Sequence, residues 1–185
     1  MQLTHFATLS SAAALAVGFA SAASADVTYT LTNQTYTGFN FSESAAAGSL
    51  EGTLTGASIN VTLLASTSYT YADDLCIYVA GSPLATGGML QCGGFSNLTA
   101  AERYFWPNGG SDAVGTTSIG TVNFTTGIDM AANPTMSVWI GNGYGAAGTS
   151  GTWTGTITLH GVNAVPAPGA IALLGLAALA ARRRR

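Results

Sequence analysis

Turn signals divide residues 26–165 into short segments rich in β-branched and aromatic residues. Val27–Leu31 and Ser118–Thr125 alternate apolar and polar residues, as half-buried strands do. Leu75–Val79 is a short, continuous apolar run, which predicts a central strand. Turns are predicted where Gly, Asn, Asp and Pro cluster, as in Pro107–Gly110. Together these segments predict an all-β fold, an antiparallel β-sandwich of the jelly-roll or immunoglobulin-like kind, followed by a C-terminal apolar helix.

The secondary structure of two segments is less clearly indicated by the sequence. Gly48–Gly56 and Ala57–Ala65 form either a hairpin or one long bent strand, with Gly56 as a candidate bulge. Thr99–Glu102 has the spacing of a capping box, so one or two turns of helix are expected before Pro107.

The first 25 residues have the pattern of a secretory signal peptide. An apolar stretch, Ala12–Ala20, precedes Ala23-Ser24-Ala25, which fits the cleavage pattern of signal peptidase. Cleavage there would leave Asp26 as the new N-terminus, and an uncleaved anchor is the alternative. The expected organisation is a signal peptide at 1–25, a β-sandwich ectodomain at 26–161 and a C-terminal segment at 162–185.

An apolar run followed by four arginines closes the C-terminal segment. Pro166 and Pro168 break any preceding strand or helix, because each ring fixes φ and removes an N–H. Ile171–Ala181 then predicts an apolar helix, shorter than the roughly 17–20 residues of a full membrane span. A basic cluster favours the cytoplasmic side of a membrane, and here it consists of Arg182, Arg183, Arg184 and Arg185. A short membrane anchor is therefore expected, with a helix packed on the β domain as the alternative.

The order of proline motif, apolar helix and basic cluster resembles the PEP-CTERM sorting signal of bacterial exosortase substrates. The motif comprises Val165, Pro166, Ala167, Pro168 and Gly169, with Ala167 where the family has Glu. The resemblance implies that a membrane-embedded, cysteine-dependent transpeptidase recognises this tail and cuts near the prolines. The ectodomain would pass from a membrane-anchored intermediate to the cell surface or extracellular matrix of a bacterium.

Charge in the β domain excludes one class of partner. All eight acidic residues lie between 26 and 165 against one base, Arg103, which gives this segment a formal charge near −7. Nucleic-acid binding depends on neutralising phosphates with basic side chains. We therefore expect no nucleic-acid partner.

Cys76 and Cys92 are the two cysteines of the chain. An even number of cysteines in an exported protein predicts a disulfide, which would bring Met89–Cys92 beside the Leu75–Val79 strand. A thiolate metal site is not expected, since no further Cys or His stands at ligand spacing.

The adjacent carboxylates Asp73 and Asp74 are weak candidates for a Ca²⁺ site, completed by Asp112 or Asp129 if the fold gathers them. Aspartates that cap turns are the commoner alternative. No other cofactor is expected. A glycosidase-type carboxylate pair is a weaker hypothesis, because such pairs are assembled in space.

Tyr104, Phe105 and Trp106 precede a turn and are candidates for a sugar-stacking platform. The alternative is that Phe105 and Trp106 close one end of the fold. Trp139 and Trp153 lie on predicted strands and are expected in the core, and His160 is expected to be structural.

These observations favour a non-enzymatic structural or adhesive protein of the cell surface. Its expected partners are signal peptidase, an exosortase-like enzyme, the membrane and extracellular polysaccharide. The alternative is a carbohydrate-binding module, with or without Ca²⁺. A secreted hydrolase is the third hypothesis.

Overall fold

A computed structural model describes residues 26–83, 87–96 and 99–166. Within these ranges the chain is all-β, with nine strands and one short 3₁₀ helix, Ala72–Asp74. The strands are β1 (Val27–Thr37), β2 (Phe41–Ala45), β3 (Leu50–Thr67), β4 (Leu75–Ala80), β5 (Gly88–Cys92), β6 (Ala100–Tyr104), β7 (Thr117–Asp129), β8 (Ser137–Asn142) and β9 (Ser150–Ala164).

Both predicted targeting segments lie largely outside this part of the chain. The signal peptide falls on residues 1–25, and the apolar helix and arginine cluster fall on 170–185, which the structure does not describe. Of the sorting motif, Val165 and Pro166 are described and Ala167, Pro168 and Gly169 are not. Among the described residues, no helix has the length and apolar character needed to span a membrane.

The strands form two sheets. A four-stranded antiparallel sheet has the order β1-β9-β3-β7, and a five-stranded sheet has the order β2-β8-β4-β5-β6. β6 pairs with β5 in parallel, so the five-stranded sheet is mixed. One hydrophobic core contains side chains from both sheets, including Leu54, Ile59 and Trp153 from the first and Ile77, Leu90 and Ile140 from the second.

The predicted helix after Thr99 is wrong, because this segment forms β6. The Thr99 carbonyl accepts hydrogen bonds from the Gly88 N–H at 3.1 Å and the Tyr78 hydroxyl at 2.8 Å. Ala100 then continues the ladder opposite Gly88. Pairing with β5 satisfies the backbone and overrides the local helical signal.

The prediction of a central strand at Leu75–Val79 is confirmed. All six residues of β4 are buried, because β4 lies between β8 and β5 and is covered on both faces. Its inner face packs in the core, and its outer face packs against the side chains of Phe41 and Trp139.

β3 is one long strand, as one of the two alternatives predicted. Its register with β9 shifts between Gly52 and Gly56, where residues 53–55 lie opposite Gly161 alone, so a bulge of β3 ends at the expected glycine. In the register with β7 the extra residues, 124–127, lie on β7. Its partner β9 continues to Ala164, with Val162 fully buried opposite Gly52. The β domain therefore extends beyond the boundary predicted at residue 161.

The predicted disulfide is absent from the structure, in which Cys76 and Cys92 are buried free thiols. Ile77 lies directly opposite Cys92 in the β4–β5 ladder. Successive side chains on a strand point to opposite faces, so Cys76 lies on the outer face and Cys92 in the core. The β4–β5 ladder, and not a covalent bond, holds these two strands together.

Candidate functional site

The carboxylate of Asp74 joins two distant loops. Its Oδ2 accepts the Tyr71 N–H at 2.7 Å, and its Oδ1 accepts the Phe95 N–H at 3.1 Å. The side chain is 3 % exposed. Burial is the main reason that the pKa of Asp74 rises to about 6, with the charge of Asp73 adding to it and the two N–H donors opposing it. Asp74 therefore organises the backbone, as the turn-capping alternative predicted.

Five aromatic side chains, which we call the aromatic cluster, surround this carboxylate. One shallow pocket is lined by Asp74 with Tyr69, Tyr71, Phe95 and Tyr144. A second pocket shares Tyr71, Asp74 and Phe95 with the first and adds Phe105 and the buried Trp106. The aromatic cluster comprises the aromatic residues of the two pockets other than Trp106: Tyr69, Tyr71, Phe95, Phe105 and Tyr144.

The aromatic cluster is open to solvent. Phe95 is 75 % exposed, Tyr69 72 % and Phe105 60 %. Phe95 and Tyr144 meet edge to face, with ring centroids 5.9 Å apart and planes at 88°. Large aromatic side chains usually contribute to cores or interfaces, and an exposed group of them is typical of interaction surfaces.

Four separate connections bring the cluster together. Tyr69 and Tyr71 follow β3, Phe95 lies between β5 and β6, Phe105 follows β6, and Tyr144 follows β8. β5, β6 and β8 run in the same direction in the five-stranded sheet, so their ends lie at one edge of it. The first pocket joins this edge to the end of β3.

Hydrogen bonds fix the backbone that presents Phe95. Gly94 donates its N–H to the Asp73 carbonyl at 3.0 Å, and Arg103 Nη2 donates to the Phe95 carbonyl at 2.6 Å. The Arg103 guanidinium also lies 4.6 Å from the centroid of the Phe105 ring. One basic side chain therefore holds two members of the aromatic cluster.

Asn142 fixes the backbone that presents Tyr144. Its side-chain oxygen accepts the Tyr144 N–H at 3.0 Å, and its side-chain nitrogen donates to the Tyr144 carbonyl at 2.9 Å. Asn142 is itself fully buried at the end of β8. Two buried polar side chains, Asp74 and Asn142, therefore fix the backbone of the aromatic cluster.

The predicted stacking residues are separated by strand alternation. Tyr104 packs on Phe124 with ring centroids 4.9 Å apart, and its hydroxyl accepts the Thr125 N–H at 2.6 Å. Trp106 is 5 % exposed and donates Nε1–H to the Leu75 carbonyl at 2.7 Å. Trp106 therefore closes the fold, as one alternative predicted, whereas the same alternative is wrong for Phe105, which is exposed. Phe105 alone of the three joins the exposed cluster.

The other four members of the cluster were missed. Their signal was present in the sequence, because Phe95 follows Gly93-Gly94 and Tyr144 lies between Gly143 and Gly145. A large aromatic side chain inside a glycine-rich turn has no strand to bury it. Tyr69 adopts a positive φ of 62°, which marks another such turn.

The remaining candidate residues have other partners. Asp129 Oδ1 caps a turn by accepting the N–H groups of Ala131 at 3.0 Å and Ala132 at 3.1 Å. In the described ranges, no group of three or more His, Cys, Asp or Glu side chains is placed to hold a metal ion. Trp153 is fully buried, as predicted, whereas Trp139 is half-buried on the outer face of the five-stranded sheet.

Comparison of this chain with protein-family models, with curated proteins and with solved structures finds no match. The chemistry of the aromatic cluster must therefore be read from its own residues. It offers apolar ring faces, tyrosine hydroxyls and one buried carboxylate, a set that suits reversible binding.

Proposed function

We propose that this chain is an exported, non-enzymatic adhesive protein of the bacterial cell surface or extracellular matrix. Its β-sandwich binds extracellular polysaccharide through the aromatic cluster. The observation that carries the proposal is the contiguous exposure of Tyr69, Phe95 and Phe105 around the Asp74 carboxylate.

Carbohydrates suit this surface physically. A pyranose ring presents C–H groups on one face, and these pack on an aromatic ring while the hydroxyls at its edge remain free for hydrogen bonds. Aromatic side chains with a polar tip combine both contacts, which Tyr69, Tyr71 and Tyr144 provide. The negative formal charge of the β domain favours neutral polysaccharides over strongly anionic ones.

The strand order supports the jelly-roll alternative for this sandwich. A jelly roll has eight strands in two packed sheets of four, and the chain crosses repeatedly from one sheet to the other. Lectin domains are among the proteins that have this fold. Here β1, β9, β3 and β7 form one sheet and β2, β8, β4 and β5 form the matching four strands of the other, with β6 added at the edge. This fold brings strand connections together at its ends, where the aromatic cluster lies.

Export and sorting rest on the two ends of the sequence. Signal peptidase would remove residues 1–25, and the apolar C-terminal segment would hold the chain in the membrane until an exosortase-like enzyme cuts near Pro166. The β domain ends close to that point, since the Val165 N–H donates to the Ser49 carbonyl at 2.8 Å. The sorting motif would thus follow directly after the folded part.

A glycan-binding screen of the purified protein tests the binding proposal. We expect a neutral polysaccharide to bind, and we expect Phe95→Ala and Tyr69→Ala each to weaken binding about ten-fold or more. Ile119→Ala is the matched control, because Ile119 is half exposed on β7 and lines neither pocket. Equal binding by all four proteins, or no glycan bound, would contradict the proposal.

Repeating the screen with a chelator distinguishes Ca²⁺-dependent from Ca²⁺-independent glycan binding. In the Ca²⁺-dependent case Asp73 and Asp74 supply carboxylate ligands. Loss of binding that added Ca²⁺ restores would support an ion at these residues. Unchanged binding would leave the aromatic surface as the whole site.

The mass of the protein recovered from its bacterial host tests sorting. A C-terminus between Pro166 and Gly169 would support a processed sorting signal. A mass that retains Arg182–Arg185 would contradict it and favour a β domain that stays anchored.

A further inference from the structure

A Ser–His–Asp relay lies on the outer face of the four-stranded sheet, and the proposed binding function does not use it. His160 Nε2 lies 2.6 Å from the Ser58 hydroxyl oxygen. His160 Nδ1 lies 2.8 Å from Asp26 Oδ2. These are the distances of a nucleophile bound to its base and of a base bound to the carboxylate that orients it.

Local sequence makes this contact possible. His160 on β9 lies directly opposite Gly56 on β3, and Ser58 is two residues further along β3 on the same face. The two side chains are therefore diagonal neighbours across the β3–β9 ladder, which is within reach of an imidazole. A Cβ on Gly56 would meet β7 instead, 2.6 Å from the Val122 carbonyl oxygen.

Asp26 sets the tautomer of the imidazole. Its Oδ1 accepts the Gly161 N–H at 3.3 Å, which holds the carboxylate beside the ring. With the proton on Nδ1 donated to Asp26, Nε2 is free to accept the Ser58 hydroxyl proton. The hydrogen bond to His160 is also the main reason that the pKa of Asp26 is lowered, so Asp26 is ionised and ready to accept.

Solvent reaches the serine from the open side of the sheet. Ser58 and His160 are half-buried and Asp26 is exposed. Thr121 on β7 is also exposed, and its hydroxyl lies 2.7 Å from the Ser58 oxygen, where it can donate to a developing oxyanion. Backbone N–H groups near Ser58 belong to ladders with β7 and β9.

We propose that Ser58 is a reactive nucleophile that accepts an acyl group from a carboxylic ester, with His160 as general base and Asp26 as its positioning residue. The Ser58 oxygen forms a bond to the ester carbonyl carbon, and the bond from that carbon to the alcohol oxygen breaks. The serine proton passes to His160 Nε2 and then to the departing alcohol. The products are an acyl-serine and a free alcohol.

One hydroxyl in place of a pair of backbone N–H donors makes a weak oxyanion site. The acyl-serine is therefore expected to accumulate, so that Ser58 is a covalent modification site and not the centre of a fast hydrolase. This goes beyond polysaccharide binding and uses a different face of the protein.

Labelling with a fluorescent fluorophosphonate tests the proposal on the full chain. The reagent forms a bond between the serine oxygen and phosphorus and releases fluoride, with the proton passing to His160. We expect one label per chain at Ser58, located by peptide mass mapping, and none in Ser58→Ala. His160→Gln should decrease the labelling rate at least about 100-fold, as expected for loss of a general base. Asp26→Asn should slow labelling at least about ten-fold.

Ser150→Ala is the matched control, because Ser150 bonds to the Thr37 hydroxyl on the same sheet, and within the described ranges no hydrogen bond joins it to a histidine. Thermal melting of each variant shows whether it is folded. If Ser58→Ala fails to fold, Asp26→Asn still tests the proposal, because asparagine keeps the shape of the exposed aspartate side chain. If the hydrogen bonds among Ser58, His160 and Asp26 are purely structural, the substitutions will change the melting temperature and the native protein will take up no label. That result, or labelling of Ser58 that is insensitive to both His160→Gln and Asp26→Asn, would overturn the proposal.

Discussion

The Phe95 N–H donates to the Asp74 carboxylate across 21 residues of sequence. The buried acid beside the aromatic cluster thus holds the backbone of the most exposed ring of that cluster. The position of the Phe95 backbone and the protonation of the Asp74 carboxyl group are coupled by this contact.

The stability of the protein should depend on pH through Asp74. Its pKa is raised from 3.8 to about 6, so the fold favours the protonated form. The stability that Asp74 contributes is fully present below pH 3.8 and is lost as pH rises through about 6. The free energy of unfolding of the wild type, minus that of Asp74→Asn, should fall by about 2–3 kcal/mol over this window in urea titrations.

Asp26 and Glu102 have lowered pKa values and push stability in the opposite direction. Both are present in the wild type and in Asp74→Asn, so their effects cancel in the difference. Parallel pH profiles for the two proteins would show that the Asp74 carboxyl is not perturbed.

Arg103→Lys should loosen the aromatic cluster while keeping the charge. The lysine ammonium cannot reproduce the planar contact over Phe105 together with the bonds to the Phe95 and Gly94 carbonyls. We expect a loss of about 1–2 kcal/mol in unfolding free energy. We also expect faster chymotrypsin cleavage after Phe95 and weaker glycan binding. A cleavage rate equal to that of the wild type would contradict this role.

Gly93→Ala should be far more destabilising than Gly115→Ala. Both glycines have positive φ, at 85° and 89°. A Cβ on Gly93 would lie 2.3 Å from Trp106 Nε1 and 2.4 Å from the Leu75 carbonyl oxygen, whereas none of the surrounding atoms lies within 4 Å at Gly115. Backbone strain of about 1–2 kcal/mol is common to both, and overpacking adds about 1–3 kcal/mol at Gly93 alone. Equal melting temperatures would refute the close contact with Trp106.

Neither cysteine should react in the native protein. Burial raises the pKa of both thiols, and the thiolate is the reactive form. We expect iodoacetamide to leave the native mass unchanged and to modify Cys76 and Cys92 once the chain is unfolded in denaturant. A native mass that increases by two hydrogens on reduction would show that the predicted disulfide forms after all.

Local pattern was sufficient to predict the strands that carry most of the core. The continuous apolar run of β4 is buried on both faces, and the alternation of Val27–Leu31 at the start of β1 matches its alternating burial, so both strands could be predicted from their own residues. The position of the β3 bulge was also predictable, since Gly56 interrupts the pattern there.

Long-range pairing was not predictable in the same way. The segment after Thr99 has a helical signal and becomes a strand only because the free edge of β5 lies beside it. Cys76 and Cys92 are close, but the register that turns them to opposite faces cannot be read from their spacing. The aromatic cluster combines residues from four connections, so no single segment displays it.

The position of β9 has a kinetic consequence. β9 is the last described strand in the chain, yet it lies between β1 and β3, and its contact with β1 joins residues 130 positions apart. Until Ser150–Ala164 has been synthesised, β1 has no ladder partner among the described strands and the sheet cannot close. Folds dominated by such contacts form slowly, over milliseconds to seconds.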